Sequence, residues 1–169
     1  MGCIVPHSIS RRVLIPIVPA DWLHERPKEE DRARRTTELK LNGIADEVPQ
    51  DSIDRLIALL PEFEQGEFAT ADAHYRQTGQ YLPQVFLLCE KISESGLEFS
   101  FDWMSWKKSE ASRVLTDEGI AQADLLTLRK ILTYCVEQDR FFGGFLPMVC
   151  SNGLIQAVLR RLQEVRAGP

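Results

Sequence analysis

Apolar residues recur at helical spacing from Pro49 to the C-terminus, and no such period holds before it. Ile53, Leu56, Ile57 and Leu60 fall at i, i+3, i+4 and i+7, the stripe that one face of an α-helix buries. Asp51 or Ser52 stands where a cap belongs, and Pro61 where the helix should stop. Residues 62–80 scatter Phe63, Phe68 and Tyr75 among Gly66, Thr70, Asp72 and Gly79, which predicts a long connection with room for one short helix. The period returns from Tyr81 to Ser95 through Val85, Leu88, Cys89 and Ile92, with Gly96 at the place of a left-handed cap.

Leu97 to Trp103 alternates with period two, the pattern of a strand. No second strand is visible to pair with it, so the segment is expected to lie extended against helices. Asp102 then caps a helix from Trp103 to about Leu115. Asp124 caps another, with Leu128, Ile131, Leu132 and Cys135 on one face. Asp139 to Gly144 breaks the chain, a short helix from Phe145 to Ser151 follows, and Asn152-Gly153 precedes a last helix. That helix carries Leu154, Ile155, Val158, Leu159, Leu162 and Val165. The pattern predicts an all-α, single-domain bundle of about five or six helices on residues 49–169.

Residues 1–48 differ in kind. They hold Pro6, Pro16, Pro19 and Pro27 and a highly charged stretch from Lys28 to Arg35, so a flexible or weakly ordered N-terminal arm is expected. Acidic and basic residues balance there, and the whole formal charge of −5 falls on the helical part. The Met1-Gly2-Cys3 start lacks the Ser or Thr that lipidation wants at position 6. Arg11-Arg12 precedes an apolar run too short, and broken by Pro16, for an export signal. With no long apolar stretch and four widely spaced cysteines, a cytoplasmic protein away from membranes is expected.

Three groups of residues carry a resemblance. They are Phe101-Asp102-Trp103-Met104-Ser105-Trp106, then Ile131-Leu132-Thr133 leading to Asp139-Arg140-Phe141 and Gly144, and the terminal Gly153-Leu154-Ile155 with Leu159-Arg160-Arg161-Leu162. Together they resemble an uncharacterised family of small bacterial all-helical proteins with F-D-W-x-x-W, D-R-F-x-x-G and I-L-R-R-L segments. The resemblance spans roughly residues 81–165. It implies a helical fold and, as the family carries no assigned activity, no catalytic residues.

Candidate chemistry is sparse. Cys89 and Cys135 sit on apolar helix faces, where a thiol behaves as a small hydrophobe, and only His74 lies in the helical part. Asp102 and Asp139 read as backbone caps or partners of Arg140 before they read as acids for catalysis. No nucleotide-binding glycine motif occurs. No cofactor, metal or catalytic residue is therefore expected, with an unfamiliar enzymatic site as a lesser alternative. Trp103, Trp106, Lys107 and Lys108, with Arg140, form the candidate partner-binding set, because aromatic and basic side chains this close can anchor a protein.

The negative charge argues against generic nucleic-acid binding and for a protein partner with a basic surface. The leading expectation is a non-enzymatic protein-interaction module, of the kind that phages or mobile elements encode to inhibit nucleic-acid-handling defence systems. The alternative is a nucleic-acid-binding or regulatory protein using the Trp103/Trp106/Lys107/Lys108 cluster or the C-terminal Arg160, Arg161 and Arg166.

Overall fold

A computed structural model of the chain describes residues 48–168, and the expected arm lies outside the described residues except for Val48, which is buried against the core. The described residues are all helical in their regular structure. The helices are α1 (Gln50–Ile57), α2 (Leu60–Glu64), α3 (Ala71–Thr78), α4 (Pro83–Glu94), α5 (Trp103–Ser109) and α6 (Ala111–Val114). They continue as α7 (Asp117–Ala121), α8 (Leu125–Phe141), α9 (Phe145–Ser151) and α10 (Leu154–Ala167).

The all-α expectation holds, and the helices outnumber the five or six expected because several are only one or two turns long. Pro61 does not stop a helix. It sits in the first turn of α2, where its missing N–H has no intrahelical partner to lose. Neither Asp51 nor Ser52 caps α1, which begins at Gln50 behind Pro49; Ser52 is instead buried inside the helix. The expected connection over 62–80 contains α3 and most of α2, joined where the Phe63 and Phe68 rings stack with centroids 3.7 Å apart. The helix expected from Trp103 to Leu115 divides at Glu110, whose φ of −124° leaves the helical range, into α5 and α6. A further turn, α7, is capped by Thr116, whose Oγ1 accepts from the Gly119 amide at 3.0 Å.

Helix α8 is the axis of the core. Leu128, Ile131, Leu132 and Cys135 are wholly buried on the expected stripe, and Asp124 caps the helix by accepting from the Thr127 amide at 2.8 Å. Helices α5, α9 and α10 pack on α8; α10 also meets α1, α2 and α7, and α9 reaches α3 and α4.

The alternating segment after Gly96 is extended without joining a sheet. Side chains of α8 satisfy part of its backbone. Buried Arg129 donates to the Leu97 carbonyl at 3.1 Å and the Gly96 carbonyl at 3.3 Å, and Thr133 Oγ1 accepts from the Phe99 amide at 3.2 Å. The Arg129 guanidinium also lies 4.8 Å from the Phe99 ring centroid, so one cation ties both backbone and ring to the helix. Burying Leu97 completely then fixes the register of the segment.

Candidate docking surface

The chain break after α8 is locked by one carboxylate. Asp139 accepts from the Tyr81 hydroxyl at 2.7 Å with one oxygen and from the Leu146 amide at 2.7 Å with the other, which serves the exposed N-terminus of α9. The Tyr81 oxygen in turn accepts from the Gly144 amide at 3.3 Å. Burial, reinforced by the hydrogen bond to Asp139, pushes the Tyr81 phenol up to about 12, so it stays protonated and donating. Gly144 has φ +93°, and a Cβ there would stand 2.3 Å from the Tyr75 ring. The D-R-F-x-x-G segment is thus a folding device whose Asp and Gly have separate physical reasons to be present.

This locked turn presents Phe141 and Phe142 outward. With Phe86 on α4 and Met104 on α5, they are each between 50% and 66% exposed, against a core whose other large apolar groups are covered. Phe141 rests on Trp103 with ring centroids 5.6 Å apart, and Trp103 packs on Tyr134 at 6.1 Å. Phe86 leans on Tyr81 at 5.3 Å, which meets Tyr75 at 5.1 Å. Phe86 is legible as an off-stripe residue of α4, between the buried Val85 and Leu88. Phe141 and Phe142 are legible only as an apolar pair running into glycines, and the sequence alone assigned them no surface role.

The expected partner-binding residues divide. Trp103 is half-buried at the edge of this surface, whereas Trp106 is buried against Phe101 and Tyr134. Lys107 donates to the Gln138 side chain at 2.6 Å and stands 5.9 Å from the Tyr134 ring centroid, and burial pulls its ammonium below the ordinary lysine value. Lys108 is exposed. Arg140 pairs with Glu98 at 3.0 Å and with Glu137. The five residues therefore run the length of α5 and reach the C-terminal end of α8 but do not form one cationic patch.

The C-terminal arginines are spread along α10 and engaged one by one. Arg160 meets Glu64 at 3.1 Å, Arg161 meets Glu164 at 2.8 Å and the Ala123 carbonyl at 3.0 Å, and Arg166 pairs with Asp54. Cys135 and Cys150 are free, buried thiols whose pKa burial raises, which removes the thiolate that nucleophilic chemistry needs. Cys89 is half-buried, and its thiol is raised in the same direction by burial. Among the described residues no group of three His, Cys, Asp or Glu is placed to hold a metal ion, and no helix is long and apolar enough to cross a membrane.

No match is found to a curated protein or to a solved structure. A family model matches residues 48–168, reaching further towards the N-terminus than the three motifs and taking in α1 to α3. On that match, the chain belongs to DUF6508, a family of unknown function.

Proposed function

We propose that this protein is a non-enzymatic protein-interaction module that docks its partner on the surface around Trp103, Met104 and Phe141. The observation that carries this reading is the exposure of Phe141 and Phe142 on a turn that Asp139, Gly144, Tyr75 and Tyr81 hold in place. A rigidly presented aromatic side chain loses little conformational entropy on binding, and aromatic residues dominate the energetic centres of interfaces. Adjacent exposed phenylalanines such as Phe141 and Phe142 otherwise cost solubility without return. The acidic charge of the helical part complements a basic partner, as in inhibitors of nucleic-acid-handling defence systems, and that is the setting we propose.

The test is affinity capture with the full chain beside a Phe141→Ser/Phe142→Ser double variant of matched denaturation midpoint. A protein retained by the parent and lost by the variant supports the docking surface. Identical sets of retained proteins overturn it.

A further inference from the structure

Beside the docking surface lies a cleft of about 500 Å³ between the extended segment and α8, lined by Glu98, Phe99, Phe101, Trp103, Thr133 and Glu137 among others. Its volume falls within the ~300–1,000 Å³ of ordinary small-ligand sites. Two kinds of group meet in it. Phe99 and Phe101 stack at 5.1 Å with an interplanar angle of 18°, and Trp103 adds a third aromatic wall. Glu98 and Glu137 supply two carboxylates whose side chains are only 17% and 26% exposed. Ser93 donates to Glu98 at 3.1 Å, which orients that carboxylate.

A single guanidinium already spans the pair: Arg140 reaches Glu98 through one terminal nitrogen and Glu137 through the other. The spacing of the carboxylates therefore fits the fork of an arginine, which a point-charge ammonium does not match. Arg140 itself is 54% exposed, so it holds the two carboxylates from the solvent side. A second guanidinium entering the cleft would meet the same carboxylates more deeply, with aromatic faces beside it.

We propose that the cleft receives an arginine side chain from a basic segment of the protein partner, which takes the place of Arg140 between Glu98 and Glu137. This rests on the reading that a protein docks on the adjoining aromatic surface, since Trp103 belongs to both. Charge complementarity selects the occupant: the cleft contributes two carboxylates, its resident cation approaches them from the solvent side, and the helical part carries the whole net charge of −5. Arg140 then acts as a competitor held on the chain, and its removal strengthens binding.

The proposal is tested on the isotopically labelled full chain by amide NMR titration with the peptide acetyl-Gly-Arg-Arg-Gly-amide and its citrulline counterpart. The arginine peptide is expected to give saturable shifts confined to residues 98–103 and 133–140, and the citrulline peptide none. Arg140→Ala should tighten the arginine peptide severalfold, and Glu98→Gln with Glu137→Gln should abolish the shifts. Equal response to both peptides, shifts elsewhere, or an Arg140→Ala variant that binds no tighter overturns it. The Phe141→Ser/Phe142→Ser variant separates the two readings. If it keeps the peptide shifts but captures the same proteins as the parent, the docking surface fails alone. If a partner is captured through Phe141 and Phe142 while the peptide gives no shifts, the cleft fails alone.

Discussion

Asp139 accepts a 2.7 Å hydrogen bond from the Tyr81 hydroxyl, and the two residues are 58 positions apart in the chain. That contact joins the end of α8 to the segment that enters α4, and through the Leu146 amide to α9 as well. Asp139→Ala should lower stability by about 2–3 kcal/mol, the scale of losing hydrogen bonds to a charged group. Asp139→Asn retains one acceptor oxygen and should cost less. Chemical denaturation distinguishes the two, and equal losses would show that a single retained acceptor oxygen contributes nothing.

Gly144 is constrained twice, by its positive φ and by the Tyr75 ring. Gly144→Ala should cost more than the ~1–2 kcal/mol of a left-handed residue alone, because the new methyl also collides with the ring. Removing the ring with Tyr75→Ala relieves the collision and leaves the backbone strain. A double-mutant cycle should therefore show the pair less destabilised than the sum of the single variants. Simple additivity would mean that the ring moves aside freely.

Hydrogen bonds from the Thr127 side chain and amide hold the Asp124 carboxyl below its ordinary value. A folded-state pKa below the unfolded one means that the stabilisation is present above the unfolded value and lost as pH falls through the folded one. At neutral pH, Asp124→Ala should cost about 1 kcal/mol, the usual loss for an N-cap. The gap between parent and variant should narrow as pH drops below the ordinary carboxylate value of ~3.9. A gap that stays constant into acid would assign the cap to shape rather than charge.

Cys135 and Cys150 combine burial with raised thiol pKa values. Both should resist a thiol reagent in the native protein and react at the rate at which the fold opens, after half-buried Cys89. Labelling followed by peptide mass spectrometry gives the order. Early modification of either buried thiol would contradict the packing of α8 against α9.

Most of the helical layout was legible because the buried stripe of α8, Leu128 to Cys135, and that of α10, Leu154 to Leu162, repeat at helical spacing without interruption. The Gly96, Gly144 and Gly153 positions were readable as breaks, and all three have positive φ. Short elements were not legible. Helix α3 buries only Ala71, so no stripe announces it, and its end is tied down by distant groups: Ser151 Oγ accepts from the Asp72 amide and donates to the Phe68 carbonyl. Pro61 misled because one proline serves equally as a stop and as a start. The candidate surface was half legible. Trp103 and Arg140 stood out by residue type, but the pairing of Arg140 with Glu98 joins elements about 40 residues apart, and local spacing carries no signal of it.

The most direct test of the docking surface is site-specific photo-crosslinking in cells that make the protein. A benzophenone side chain is placed at Phe142 in one version and at exposed Gln163 on α10 in another. The docking reading predicts a discrete heavier adduct from position 142 that is absent from position 163 and is lost when Phe141→Ser is added. Adducts of equal yield from both positions, or none from 142, would contradict it.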